Sequence, residues 1–264
     1  MNQSTLNHIK KLEKETLTWL KNNKGIPNIK EIKDCLKELD DIYNEHKIKT
    51  EDTGKIFEKA ICVLYNIPYK GNYKYSIEEA KELSIRLKPL KKLFPYDINH
   101  TAEKGARYDF TTVDGTTHLS AKSTKGDGKM CPQVIGQPTK KKFCQFFNLP
   151  LSSSNEDIKK YIQKNVKQLL SSYFDHTFDS NIIYYNNKKD NFKYIETINP
   201  INWRTQPIIF TREGTDWNES TTIKIKNKTI GEFQVHNNRD GIKFRWNIET
   251  ILSEFKNNFK ITNF

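Results

Sequence analysis

Asp109 and Lys122 stand on either side of an Asp114-Gly115 dipeptide in the stretch YDFTTVDGTTHLSAK, residues 108–122. An Asp-Gly pair between alternating apolar residues is a short-hairpin signal, read here as the centre of a type I′ turn. Counting outward, Val113 faces Thr116, Thr111 faces His118, Asp109 faces Ser120 and Arg107 faces Lys122. Strand alternation then gathers Arg107, Asp109, Thr111, His118, Ser120 and Lys122 on one face, with Tyr108, Phe110, Leu119 and Ala121 on the other. The apolar face needs a core, and a one-residue slip would exchange the two faces, so burial constrains the register. A carboxylate and an ammonium on one ribbon face can serve phosphodiester hydrolysis. The carboxylate is a hard oxygen ligand for Mg²⁺, which lowers the pKa of a bound water; the lysine orients that water or stabilises transition-state charge. Taken alone, the same pair also reads as a cross-strand ion pair, which contributes little on a solvated sheet.

Glu58 adds a second carboxylate. In EDTGKIFEKAICVLYN it shares a helical stripe with Gly54, Ile61, Cys62 and Tyr65. A charge on an apolar stripe needs a partner or a metal, and the choice between a structural salt bridge and a functional role stays open on spacing alone. Gly54, one turn earlier, leaves room for another backbone or a ligand.

The order Glu58 on a helix, Asp109, then Ser120-Ala121-Lys122 on the second strand of a hairpin resembles the PD-(D/E)xK nucleases, to which many type II restriction endonucleases belong. The phrases TEDTGKIFEKAI and LSAKSTKGDGK are similar to segments of such enzymes; the likeness is confined to these short stretches. The resemblance implies a restriction-endonuclease-like α/β fold, a mixed sheet flanked by helices. It implies Mg²⁺ held by Asp109 and the main-chain carbonyl of Ala121, with Glu58 as a water-mediated ligand or an orienter of Lys122. Ser120 takes the catalytic position where the pattern usually has a second acidic residue, which implies a single metal ion. His118 is expected to support the site without touching the metal.

Two segments could hold DNA. STKGDGKMCPQVIGQPTKKK follows Lys122 and offers Lys125, Lys129 and Lys140 to phosphates, and Gln133 and Gln137 to an adenine edge. Its basic helical start suits a helix N-terminus only if an anion sits there. The other is GEFQVHNNRDGIKFRW, a hairpin with Gln234 and His236 alternating with Phe233 and Val235, and Lys243 and Arg245 alternating with Phe244 and Trp246. Its tip carries His236, Asn237, Asn238 and Arg239, and a two-stranded ribbon fits the major groove.

These groups need a scaffold. Residues 1–100 read as a mainly helical layer: TLNHIKKLEKETLTWLKN, NIKEIKDCLKELDDIYNEH after Pro27, EDTGKIFEKAICVLYN, and SIEEAKELSIRLKPLKKLF up to Pro89. Residues 101–150 hold the hairpin and a basic loop and helix, TKKKFCQFFNL. Residues 151–264 hold the helix NEDIKKYIQKNVKQLLSSYF and then the strands NIIYYNN, NFKYIETI, QPIIFT, STTIKIKN, TIGEFQVH and GIKFRW, closed by a helix NIETILSEFKNNF. The whole reads as a single α/β domain over 1–264, with an N-terminal helical layer and a β-rich C-terminal part.

With 44 Lys and Arg against 32 Asp and Glu, a net charge of +12, the composition favours a polyanionic partner. No apolar run is long enough for a membrane span and no signal-peptide core is present, which predicts a cytoplasmic protein. Four scattered cysteines (Cys35, Cys62, Cys131, Cys144) form no CxxC pair, and His100, His118, His176 and His236 form no HxxxH, so neither a zinc ribbon nor a zincin is expected. The expected function is a Mg²⁺-dependent type II restriction endonuclease. It would cut a short site in double-stranded DNA, leave 5′-phosphate and 3′-hydroxyl ends, and act as monomer or homodimer beside a cognate DNA methyltransferase. A non-catalytic DNA-binding protein, or an RNA-binding or RNA-processing protein, would use the same basic faces.

Overall fold

The computed structural model describes residues 3–22, 29–46, 50–103, 106–126, 128–132 and 135–264. Gln133 therefore lies outside the described residues. The chain forms two compact units, Met1–Thr53 and Gly54–Phe264. In the first, α1 (Gln3–Asn22) and α2 (Ile29–His46) pack on each other, and Leu20 and Leu36 are buried. No helix among the described residues is long and apolar enough to cross a membrane.

The second unit has two sheets. The first, six-stranded, runs β1 (Ile98–His100), β2 (Phe110–Thr112), β3 (His118–Thr124), β5 (Asn181–Asn186), β6 (Asn191–Thr197) and β11 (Phe259–Asn263). All its pairs are antiparallel except β3 with β5. That parallel pair needs a crossover, and the chain supplies it through the helices α6 (Lys140–Phe147) and α7 (Asn155–Phe178). Its central strand β5 is buried on both faces from Ile182 to Asn186, as the near-continuous apolar run NIIYY requires. The second sheet, five-stranded and antiparallel, runs β4 (Lys129–Met130), β10 (Ile242–Asn247), β9 (Lys228–Val235), β8 (Ser220–Ile225) and β7 (Ile209–Phe210).

The central helix α7 supplies side chains to a core shared with both sheets. Ser154 and Asp157 close a reciprocal capping box at its start. Tyr173 stacks on Phe244 of β10 at 4.5 Å, and Phe178 packs on Phe259 of β11 at 5.1 Å. The helix α3 (Thr50–Tyr65) buries Ile56, Phe57, Ala60, Ile61 and Cys62. It stops at Asn66, whose φ of 56° turns the chain out of the helix, and Ile67 N–H returns to Cys62 O at 3.0 Å. Pro89 divides the next helical run into α4 (Ile77–Arg86) and the single turn α5 (Leu90–Leu93).

Two expectations fail locally. The closing helix α8 (Ile248–Glu254) is shorter than the sequence pattern predicts, and Phe259–Asn263 pairs with β6 as an edge strand. The Asp114-Gly115 loop is not a type I′ turn, which needs positive φ at both central residues; of the two only Gly115, at 74°, is positive. Thr112 N–H bonds Thr117 O and Gly115 N–H bonds Thr112 O, each at 2.9 Å, so four residues, 113–116, form the connection. The expected register survives: Thr111 pairs with His118 and Phe110 with Leu119.

Candidate active site and nucleic-acid interface

The hairpin brings Asp109 and Lys122 together. Asp109 Oδ2 accepts Ala121 N–H at 2.8 Å and lies 3.3 Å from Lys122 Nζ. The two side chains are only 14% and 12% exposed, so they meet where charge is poorly screened. The Ala121 bond fixes the carboxylate against β3 and so sets where the ammonium meets it.

Alternation fails before Phe110, where β2 begins. Arg107 does not face Lys122; it pairs with Asp179 at 2.6 Å, and Tyr108 hydroxyl donates to the same carboxylate at 2.6 Å. Tyr108 stacks on His118 at 3.8 Å, on the side where the sequence pattern does not place it. The described contacts of His118 are with Tyr108 and with Thr111 Oγ1 at 3.1 Å, which puts its ring against the hairpin's own residues. Ser120 is fully buried, and its hydroxyl meets that of Ser180 at 3.2 Å.

Glu58 is nearly buried and is turned elsewhere. Its Oε2 accepts from Lys55 Nζ at 3.0 Å and Tyr69 hydroxyl at 3.4 Å, and lies 3.5 Å from His100 Nε2; none of its described hydrogen bonds is to Lys122. Register explains the separation. His100 opposes Phe110, which opposes Leu119, whereas Lys122 projects from β3 on the other face. His100 Nδ1 accepts Lys70 N–H at 2.9 Å, which places the ring proton on Nε2, the nitrogen nearer Glu58. Burial alone would raise the Glu58 carboxyl, but the His100 contact and the Lys55 charge outweigh it and hold it below the ordinary glutamate value. Gly54 does leave room for close approach: a Cβ there would sit 3.7 Å from Ser123 Oγ, so α3 lies on β3.

The second sheet is two-faced, as its sequence alternation requires. Along β10, Ile242, Phe244 and Trp246 are buried while Lys243, Arg245 and Asn247 are half-exposed. Gln234 on β9 opposes Lys243, and Glu232 opposes Arg245. Glu232 also meets Lys129 of β4 at 3.2 Å and accepts from Gln234 Nε2 at 3.3 Å, so Lys129 has a protein carboxylate as its neighbour. Cys131 directly follows β4, and burial raises its thiol while Arg245, Lys243 and Lys122 each oppose that rise. Lys125 is half-buried just past β3.

Gln137 is not a base reader. It is nearly buried, and its Oε1 accepts Phe244 N–H at 3.1 Å, fixing the segment before α6 onto β10. The anion required at the basic start of α6 comes from the chain itself: Asp240 Oδ1 accepts Lys140 N–H at 2.7 Å, while Thr139 caps Lys142 N–H. Other groups at the hairpin tip are likewise engaged. Asn237 bonds Glu219 and Asn218, Arg239 donates to His236, and Asn155 of α7 donates to His236 O; Asn238 is exposed. Asp240→Ala should therefore destabilise α6 by about 1 kcal/mol, the usual cost of a lost N-terminal side-chain bond. The change reads out as a lower denaturant midpoint at unchanged slope; an unchanged midpoint would show that the bond contributes nothing.

Sequence comparison adds a relative. The chain is 50% identical over 216 residues to the "Type II restriction enzyme CviAII" of Paramecium bursaria Chlorella virus 1, an alignment covering 81% of this chain and 63% of that protein. The chain is similar to a type II restriction enzyme. It spans less than two thirds of that relative's length. No protein-family model matches the chain, and no solved structure does.

Sequence reasoning missed Glu232, His100 and Asp179 as organising groups. Glu232 was legible, since it occupies the same alternating face as Gln234. The others were not, because their partners come from distant segments.

Proposed function

We propose that the protein is a site-specific endonuclease of the PD-(D/E)xK, restriction-endonuclease-like kind, hydrolysing phosphodiester bonds in double-stranded DNA. The convergence of the nearly buried Asp109 and Lys122 in a basic protein carries this reading, and the type II restriction enzyme likeness supports it.

The residues present suit a hard divalent cation. Among the described residues no three His, Cys, Asp or Glu side chains gather into a metal cage. Mg²⁺ is bound through one or two carboxylates, with water and substrate phosphate completing its shell. Asp109 and the Ala121 carbonyl would hold it. Glu58, held by Lys55, Tyr69 and His100 on the other face of the hairpin, is left out of this ligand set. A bound Mg²⁺ supplies a more acidic water and neutralises charge developing on the phosphate.

The chain's own groups do the rest. Ala121 N–H holds one carboxylate oxygen in place, and Lys122 stays beside it through their shared contact. Its ammonium faces the phosphate oxygens as negative charge builds in line between attacking water and leaving 3′-oxygen. The products carry 5′-phosphate and 3′-hydroxyl ends. The polar face of β9 and β10 holds the duplex, as monomer or homodimer, and a cognate methyltransferase protects the host site.

Purified protein incubated with a sequenced plasmid and a structured RNA, with Mg²⁺ and with excess EDTA, tests this. Discrete plasmid fragments that disappear with EDTA are expected. DNA binding without cleavage, unaffected by Mg²⁺, would favour a binding protein; digestion of RNA alone would replace the reading.

A further inference from the structure

The polar face of β9 and β10 carries a group that a purely phosphate-binding surface would avoid. Glu232 is 8% exposed in the middle of it. A carboxylate facing DNA repels phosphates, so its presence calls for another use. Glu232 stands opposite Arg245 in the strand register, with Oε2 3.5 Å from the guanidinium and 3.2 Å from Lys129 Nζ. Neither contact is aligned as a hydrogen bond, and Arg245 Nε is also buried without a hydrogen-bond partner among the described residues. A guanidinium has five donors. Glu232 faces one side of this one at ion-pair distance, and the Arg245 side chain remains 31% exposed. Gln234 is restrained by the same carboxylate through its own amide.

The hairpin tip differs. Asn237, Arg239 and Asp240 are engaged with Asn218, Glu219, His236 and the start of α6. The oriented but uncommitted donors therefore lie on the sheet face, not at the tip. This face adjoins the strand that carries Lys122, since β4 pairs with β10 and lies against β3.

We propose that Glu232 is a positioning residue for sequence selectivity: it holds Arg245, with Gln234, as a pre-oriented donor fork that reads one base edge in the major groove. The edge would present paired acceptors, as guanine O6 and N7 do. The inference rests on the duplex-DNA reading above but not on cleavage. Removing the carboxylate frees the guanidinium and also removes a negative charge, so selectivity should fall at one position while affinity for arbitrary duplex holds or rises.

The test is enrichment from a randomised duplex library in Ca²⁺ buffer, followed by sequencing, for the wild type, Glu232→Gln and Arg245→Lys. The wild type should enrich one motif. Each variant should lose about tenfold to a hundredfold preference at the same single position, the range for one base pair, with non-specific binding by Glu232→Gln undiminished. Three results overturn the proposal: a wild type that enriches nothing, a Glu232→Gln motif identical to the wild type, or binding weakened equally for every sequence. A thermal melt checks that Glu232→Gln folds; if it does not, the half-exposed Arg245→Lys keeps the charge, removes the fork and decides the matter. Plasmid cutting is scored separately. A wild type that enriches a motif without cutting loses the nuclease reading and keeps this one; a cutting enzyme with an unchanged Glu232→Gln motif does the reverse.

Discussion

Lys122→Ala should reduce single-turnover cleavage of plasmid DNA by at least about a hundredfold to a thousandfold, the usual loss when one transition-state donor is removed. Binding of the same duplex should persist, because affinity comes from many phosphate contacts and one lysine is a small share of them. Asp109→Asn should be as severe. It keeps the shape that accepts Ala121 N–H and deletes the charge that both Lys122 and a divalent cation require. Asp109→Ala is the less informative variant, since it also removes the oxygen that accepts Ala121 N–H. A bland cross-strand ion pair makes a different forecast: the variants would shift the melting point and leave the rate per folded molecule alone. Wild-type cutting by either Lys122→Ala or Asp109→Asn would end the catalytic assignment.

That pair was readable from sequence because its geometry is local. Burial of Phe110 and Leu119 sets the register, and the register puts Asp109 near Lys122 whatever the turn. A four-residue connection replaced the expected two-residue turn without shifting the pairing of Phe110 with Leu119 or of Thr111 with His118. Local pattern failed at Arg107 and Tyr108, where the strand has not begun and Asp179, at the end of α7, captures both side chains. Nothing in the spacing of residues 107–109 announces a partner 71 residues away from Tyr108. Glu58 shows the same limit. Its place on an apolar stripe flagged a charge in need of neighbours, but whether those neighbours were a metal or His100, Tyr69 and Lys55 depended on how β1 pairs.

The fold divides in the same way. Helices with a 3.6-residue stripe and clear caps, such as α7, were legible from sequence, as were strands with strict alternation, such as β8 and β10. The assortment of strands into two sheets was not, because pairing is non-local and several runs have similar alternation. β11 was hidden for a related reason. Five residues at an edge become a strand only because β6 offers them a ladder. Gln137 was assigned to DNA because a glutamine in a basic Gly-rich loop suits a base edge; the backbone N–H that claims it belongs to Phe244, 107 residues on.

The largest stability effect is expected at Trp246, next door to Arg245 on the opposite face of β10. Trp246 is fully buried, stacks on Trp203 at 5.5 Å and meets Phe244 edge-on at 4.6 Å. Its Nε1 donates to Thr177 Oγ1 at 3.0 Å, which joins the second sheet to α7. Thr177 in turn donates to Tyr173 O, so its hydroxyl proton stays satisfied when the indole is removed. The cost of Trp246→Ala is therefore mainly transfer and cavity, about 3–5 kcal/mol. For a cooperative unit of this size that lowers the melting temperature by roughly 10 °C. Trp246→Phe should lose much less, because an aromatic ring can still fill most of the space between Trp203 and Phe244. Well below the melting point, cutting per folded molecule by Trp246→Ala should match the wild type, since the indole faces the core and not the DNA. A melting point within about 2 °C of wild type would mean that the core between α7 and β10 closes over the gap. A specific loss of sequence selectivity would mean that Trp246 sets the tilt of β10, and with it the aim of Arg245.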